Sequence, residues 1–491
     1  MDRKSIIALV ACFAALMLWN QFVFKKLYPP IPLPARATNS VAGAWNGTNH
    51  PASSPNTPPS LVEAPPARPA SLAPLKAVTS TDRPEELLDL TNNNARYTFT
   101  SYGGGLKRVE LLRYPETVST RREGKTPQAR RVATLNDLAP IPTLALADGE
   151  ALQGDGVFTL TRTPRGVRAE KELTNGLVIT KDFEPGTNYL VEASLRIENR
   201  SAKPLDLPEQ DWVVGLAAPL GPRDLGRAVG ALWYNGSKSE DLGGGTYFSS
   251  GGCTRRVAPD EYRGGSNVVW VAVHNQFFAL AAMPQQPAGG LVVRRLDLPR
   301  PTGEDAKLVS STAPLPQGYE AALVFPATNL APKQALERTI RLYTGPKEYQ
   351  TLARLADRFN NNIDLVMGFG WASMISKALL LSMNWLHDSL SFAYGWAIIA
   401  ITVIIKAVFW PLTRASTRSM KRMQALQPQM KAIQEKFKDD PVKMNRKTME
   451  FMREHKVSPL GGCLPTLIQI PVFIGMPTME DVAPVTDCQF E

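Results

Sequence analysis

Hydrophobic and polar positions divide this chain into stretches of different periodicity. Residues 5–24 hold a continuous apolar run, Ser5-Ile-Ile-Ala-Leu-Val-Ala-Cys-Phe-Ala-Ala-Leu-Met-Leu-Trp19, set between Asp2-Arg3-Lys4 and Lys25-Lys26. The run continues into Trp19-Asn20-Gln21-Phe22 with no small-x-small cleavage site, so it reads as an uncleaved N-terminal transmembrane anchor rather than a signal peptide. Residues 25–84 are dominated by Pro, Ala, Ser, Thr and Asn. Such a stretch cannot bury a core and is expected to be a disordered linker.

From 85 to 345 the pattern changes to short alternating or β-former-rich segments split by Gly, Pro and Asn. Examples are Arg96-Tyr-Thr-Phe-Thr-Ser-Tyr102, Gly176-Leu-Val-Ile-Thr-Lys-Asp-Phe183, Tyr189-Leu-Val-Glu-Ala-Ser-Leu-Arg-Ile197 and Val268-Val-Trp-Val-Ala-Val273. A period of two bounded by turn residues predicts strands, hence an all-β domain. No helical pattern opens after Gly103-Gly104-Gly105, so those glycines read as a turn between strands and not as a phosphate cradle. Residues 346–390 are expected to connect this domain to a membrane part, with helical character over 354–362 and an apolar-aromatic stretch over 369–390. A helix lying on the outer face fits that stretch better than a third crossing, which would put Met1 or the later basic segment on the wrong side.

Residues 391–412 supply the roughly 20 mainly apolar positions that a membrane helix needs. Lys406 is their only charge. A cation at that depth costs about 2.5–3.5 kcal/mol even on insertion scales, so by default it faces a polar cavity and marks a functional path. The competing reading is a buried core helix of a soluble domain with Lys406 at its edge. Against it stands the segment 414–456, with about a dozen Lys and Arg against roughly five acids, the excess expected on a cytoplasmic flank. Two spans then place Met1 and the basic segment inside and the β-domain outside.

The basic segment is expected to be a helical hairpin, broken at Lys438-Asp439-Asp440-Pro441 with Asp440 as N-cap and Pro441 at the first helical position. Met420, Met423, Met430, Met444 and Met452 are available for its facing side.

Composition adds constraints. The 491 residues are 44% hydrophobic, so most of the chain is polar enough to form one exported domain of ordinary size. The net charge of +10 is concentrated beside the membrane, where anionic lipid and ribosomal RNA are both plausible partners. The four cysteines, Cys12, Cys253, Cys463 and Cys488, leave only Cys253 in the exported part and give no paired-cysteine zinc spacing. His50 and His274 have no ligand-spaced companion, and no Ser/His/Asp or Cys/His arrangement is legible. No cofactor, metal, covalent chemistry or small-molecule substrate is expected.

Several motifs then occur together in order: Thr344-Gly-Pro-Lys-Glu-Tyr349, Gly370-Trp371, Ile375-Ser-Lys377, Lys406-Ala-Val-Phe-Trp-Pro-Leu-Thr413, Ser419-Met-Lys-Arg-Met423, Leu426-Gln-Pro428, Lys456-Val-Ser-Pro-Leu-Gly-Gly-Cys463 and Pro465-Thr-Leu-Ile-Gln-Ile-Pro471. Together with Gly103-Gly-Gly-Leu-Lys-Arg-Val-Glu110 and Trp270-Val-Ala-Val-His-Asn-Gln-Phe-Phe278, they closely resemble the YidC-type membrane protein insertases of bacteria. The resemblance covers nearly the whole chain to Gly475. It implies a multi-domain protein: a periplasmic β-supersandwich similar to mutarotase-like folds over 85–345, and an α-helical membrane insertase core with a cytoplasmic helical hairpin. Fold alone does not carry sugar chemistry.

The resemblance also implies a multi-pass protein of the bacterial inner membrane with a cytoplasmic N-terminus. It would receive hydrophobic segments of nascent membrane proteins from the ribosome or the secretion channel and release them into lipid. Lys406, within the transmembrane helix 391–413, takes the place of the family's groove cation, and Thr402 matches a position that touches substrate. In the family member that carries Arg there, the cation is a planar fork; Lys keeps the charge without it. Arg414, Arg418, Lys421 and Arg422 of the hairpin are expected to meet the ribosome or anionic lipid.

Residues 457–475 correspond to the start of a third membrane segment. The polar stretch 476–491 departs from the family, and a truncation by frame shift or premature stop, leaving the groove short of its walls, is the expectation. Two other classes stand beside the insertase: a two-span tethered β-domain binding an envelope ligand, and an exported sugar-modifying enzyme, which needs carboxylates or His meeting in a β-sandwich pocket.

Overall fold

The structure is a computed structural model that describes residues 83–116, 131–147, 150–221, 224, 226–244, 246–248, 259–303, 305–310, 312–369, 373–390, 393–437 and 440–455. The expected anchor over 5–24, most of the linker over 25–84, the third-segment start over 457–475, the tail over 476–491 and all four cysteines lie outside the described residues. The described chain divides into two compact units, one running up to Ile401 and the other from Thr402.

Twenty strands carry the first unit: β1 (Leu87–Thr91), β2 (Ala95–Thr100), β3 (Gly105–Pro115), β4 (Val132–Leu135), β5 (Leu146–Ala147), β6 (Thr159–Arg162), β7 (Val167–Glu172), β8 (Leu177–Pro185), β9 (Leu190–Asn199), β10 (Leu205–Leu207), β11 (Gln210–Ala217), β12 (Gly230–Tyr234), β13 (Ser239–Gly243), β14 (Glu261–Gly264), β15 (Trp270–His274), β16 (Phe278–Pro284), β17 (Gly290–Asp297), β18 (Gln317–Phe325), β19 (Thr328–Leu330) and β20 (Ala335–Pro346). A nine-stranded sheet runs β13-β12-β15-β16-β20-β9-β8-β7-β6, a five-stranded sheet β14-β17-β18-β11-β5, and a four-stranded sheet β1-β2-β3-β4, with β10-β19 as a separate pair. β11 and β18 pack against β12, β15 and β16, so two sheets face each other as a sandwich.

The alternation of β9, buried at every second residue, is the signature of a strand wet on one face. β11 is buried throughout, as befits a strand covered on both. Trp212, Trp270, Tyr97, Tyr343 and Phe99 are the largest wholly buried side chains, and rings of that size supply most of a core's apolar area.

Lys181 is wholly buried among them. Period two in β8 puts it on the same inward face as Ile179 and Phe183. Its ammonium donates to the carbonyls of Gly103 at 2.6 Å and Leu144 at 2.8 Å, and lies 4.5 Å from the Phe158 ring centroid and 5.2 Å from that of Trp212. Gly103 and Gly104 have φ of 69° and 56°, and Leu144 of 61°. The lysine therefore fastens two left-handed turns to the sheet. A Cβ on Gly104 would come within 2.5 Å of the Phe158 ring, so this turn needs glycine for space as well as for conformation.

Helices follow the strands. α1 (Tyr349–Phe359) ends on Asn360 in the left-handed conformation, an ordinary helix stop. The Trp270 indole N–H donates to the Asn361 carbonyl at 2.8 Å, and Asn362 Nδ2 to the Tyr234 hydroxyl at 2.9 Å, tying the junction to the sandwich. α2 (Ser373–Leu390) buries Ser376, Leu380 and Met383 and exposes Met374 and Trp385. Its Lys377 ammonium meets Asp364 Oδ2 at 2.9 Å and lies 5.5 Å and 5.9 Å from the Tyr349 and Phe369 ring centroids.

α3 (Tyr394–Lys436) runs without a break through Pro411 and Pro428. The expected boundary at 413, between the membrane helix and the basic segment, thus falls inside one continuous helix. Composition changes there from apolar to basic, but backbone hydrogen bonding does not follow composition. α4 (Pro441–Glu454) starts as expected: Asp440 is the N-cap, its carboxylate accepts from the Lys443 N–H, and proline takes the first turn. Met452 is buried and Met423, Met430 and Met444 half-buried, whereas Met420 is 45% exposed. Met420 therefore does not belong to the covered side; helical geometry turns it to the face of Thr402.

Candidate functional site

An 18-residue window of α3, Tyr394–Pro411, is long and apolar enough to cross a membrane, and only 11% of it is buried. Trp396, Ile399, Val403, Ile404, Val408 and Trp410 are between 45% and 67% exposed. A soluble core helix hides its apolar side chains; an apolar surface of this extent needs lipid or a partner. α2 does not reach the same hydropathy.

At about 100° per residue, Thr402, Lys406, Trp410, Thr413, Thr417 and Gln424 fall within a sector of about 80° on α3, shared with the apolar Ile399 and Met420, all of them exposed. The strip thus carries polar groups from the apolar window into the basic stretch. The Thr413 hydroxyl donates to the Phe409 carbonyl at 3.0 Å and that of Thr417 to the Thr413 carbonyl at 2.9 Å, so these side chains lie along the helix. On one flank of the strip stand the half-buried or buried Ile405, Phe409, Ser416 and Met423. On the other stand Lys421, Arg414, Arg418 and Arg422, all exposed.

Arg414 lies about 12 Å along the axis from Lys406. Among the described residues none of these five cations has a carboxylate partner in an ion pair, so their field is not neutralised locally. The sequence reading singled out Thr402 and Lys406 but missed Thr413 and Thr417. Spacing was the available signal, since they stand seven and eleven residues after Lys406.

The sandwich contains a cavity of about 1280 Å³ whose wall includes His274 and Tyr319. The ammonium of Lys347 stands 3.1 Å from His274 Nδ1. Burial, with Lys347 as the next cause, pushes the imidazole well below its usual range. His274 is thus a half-buried imidazole facing the Lys347 cation, the reverse of a carboxylate-supported acid. Among the described residues no group of three or more His, Cys, Asp or Glu has the arrangement to hold a metal.

Residues 87–381 match the family described as "YidC periplasmic domain", and residues 385–479 that described as "60Kd inner membrane protein". The chain is 30% identical over 489 residues to the membrane protein insertase YidC of Bordetella pertussis, covering 96% of this chain and 80% of the relative. It is 28% identical over 502 residues to that of Syntrophus aciditrophicus, covering 97% and 82%. Among solved structures it is similar to a galactose mutarotase related enzyme from Lactobacillus acidophilus, with a TM-score of 0.34 and 8% identity over 53% of this chain and 97% of that one. It is also similar to an active YidC insertase crystal structure, with a TM-score of 0.24 and 17% identity over 84% and 74%.

Proposed function

The chain belongs to the YidC family of membrane protein insertases, and from that premise we propose how it inserts its clients. It is an insertase of the inner membrane with a periplasmic β-domain. A hydrophobic segment of a nascent membrane protein lies against α3, while its polar or acidic tail follows the strip from Lys406 toward Thr402. A cation there attracts an anionic tail and shortens its path through hydrocarbon, which is binding and desolvation chemistry without a covalent step. Arg414, Arg418, Lys421 and Arg422 face the cytoplasm and hold anionic lipid or ribosomal RNA, with clients delivered by the ribosome or the secretion channel. In this reading the protein crosses the membrane more than once and keeps Met1 in the cytoplasm.

The observation that carries the proposal is the exposed strip of Thr402, Lys406, Thr413 and Thr417 on a helix whose membrane window is otherwise exposed and apolar. Complementation of a bacterial strain depleted of its insertase tests it. Lys406→Arg is expected to sustain insertion, Lys406→Ala to weaken it, and Lys406→Glu to abolish it for clients with acidic tails. Full activity of Lys406→Glu on those clients would sink the mechanism.

A further inference from the structure

The ring of Phe359, at the end of α1, carries two cations. The guanidinium carbon of Arg341 lies 4.8 Å from its centroid and that of Arg358 5.2 Å, so the two groups are no further apart than those distances together. β20 supplies Arg341 and the last turn of α1 supplies Arg358, which joins strand and helix over one ring. Phe359 and Arg341 are half-buried, and Arg358 is exposed.

Neither guanidinium has an ion pair or a hydrogen bond among the described residues. Glu192 stands opposite Arg341 on β9 and Asp357 directly precedes Arg358, both of them exposed, yet neither carboxylate closes on these cations. One turn earlier on α1, the exposed Arg354 donates only to the Gln350 carbonyl at 3.1 Å and the Thr351 hydroxyl at 3.4 Å. The face of an aromatic ring attracts a cation, but two cations gathered on one ring repel each other. Phosphate oxygens beside them offset that repulsion, and the planar fork of arginine matches phosphate geometry.

The neighbouring elements favour lipid as the source of that phosphate. The Lys377 ammonium, in the first turns of α2, lies 5.5 Å from the centroid of the Tyr349 ring at the start of α1, so the two helices meet there. α2 leaves Met374 and Trp385 65% and 55% exposed, about three turns apart and therefore on one face. Such a face is what an interfacial helix presents to acyl chains, with tryptophan at headgroup level. The membrane window of α3 opens at Tyr394, just after α2 ends at Leu390.

We propose that Arg341 and Arg358, with Arg354 beside them, hold the phosphodiester headgroups of anionic phospholipid in the outer leaflet and so moor the β-domain to the bilayer. Each cation near an anionic surface adds to the attraction, and salt weakens it. The inference takes from the proposed function only the outward placement of the β-domain; it does not draw on Lys406.

The test uses the full chain in nanodiscs containing phosphatidylglycerol with a photoreactive group on its headgroup, and mass spectrometry of the crosslinked segments. Crosslinks are expected between Tyr349 and Asn362, falling about tenfold or more in the double variant Arg341→Gln with Arg358→Gln. The same group on phosphatidylcholine is expected to label this segment weakly, and inorganic phosphate is expected not to compete. Arg168→Gln, on β7 and already paired with Asp182, should change nothing. The charge-keeping pair Arg341→Lys with Arg358→Lys should retain most of the labelling, which separates charge from folding. Equal labelling by both lipids shows proximity without recognition, displacement by inorganic phosphate shows a free-anion site, and equal loss in the glutamine and lysine pairs shows a folding defect. Each of these overturns the proposal, as does the absence of crosslinks.

The segment from Arg414 to Arg422 supplies an internal reference in the same experiment. Its crosslinks should survive the glutamine pair, so the cytoplasmic lipid contact of the proposed function is judged separately from the mooring. Mooring crosslinks in a protein whose insertion is indifferent to Lys406 would remove only the strip mechanism; insertion that depends on Lys406 without those crosslinks would remove only the mooring.

Discussion

Replacing Lys181 by methionine removes a titratable amine from the sandwich core at nearly constant volume. Burial holds this ammonium down to about 7, from the 10.5 of an ordinary lysine. The two carbonyls and two ring faces that receive it favour the charged form and oppose that pull. Between those two values the unfolded chain carries the proton and the folded chain does not. Stability therefore rises with pH across the window, is complete above 10.5, and is lost as pH falls toward 7. The slope is about 1.4 kcal/mol per pH unit, which amounts to about 2–3 kcal/mol between pH 7 and pH 9.

Lys181→Met should abolish that slope. It also leaves the Gly103 and Leu144 carbonyls without a donor, an offset of about 1–3 kcal/mol each at every pH. Urea unfolding of the full chain in detergent, followed by tryptophan emission at a series of pH values, measures both effects. Subtracting the variant's curve from the parent's cancels every other titrating group. Parallel curves for the two proteins would show that Lys181 keeps its proton throughout, and the reasoning from burial would be refuted.

Two further predictions concern packing. Asp364→Asn should loosen α2 by about 1.5–3 kcal/mol, the worth of a charge-assisted hydrogen bond. Amide hydrogen exchange should report this, with partial recovery when Asp364→Lys is combined with Lys377→Asp; unchanged exchange in α2 would dismiss the clasp. Gly104→Ala places a Cβ against Phe158 at a φ of 56° and should cost the sandwich about 2–4 kcal/mol. Gly221→Ala, where nothing lies within 4 Å, should stay within about 0.5 kcal/mol, and similar denaturation midpoints for the two would contradict the steric account.

Legibility in the sequence followed the physics of each feature. β8 and β9 were visible because one wet and one dry face impose period two on side-chain polarity. Sheet order was not, because pairing β20 with β9 or β11 with β5 joins residues far apart in the chain. The Lys181 position could have been caught, since the period that places Ile179 and Phe183 inward also places the lysine there. Hydrophobicity alone would have called it a break in the pattern. Asp440-Pro441 announced the start of α4 because capping is local chemistry. The continuity of α3 was hidden, because the change from apolar to basic composition after Thr413 marks a change of solvent and not a break in the helix. The relation of His274 to Lys347 was beyond reach: 73 residues separate them, and only the sandwich brings them together.

Continuity in α3 has a mechanical consequence. From Thr402 to Lys436 the helix is about 52 Å long, and an unbroken helix resists torsion, so rotation imposed on the basic end is delivered to the azimuth of Lys406. Pro411 stands between the two. It lacks the N–H that would bond the Ala407 carbonyl and its ring crowds that carbonyl, so bending compliance gathers there, five residues after Lys406, and again at Pro428. Torque or bending applied at Arg418 or Arg422 therefore reaches Lys406 through one proline joint, Pro411.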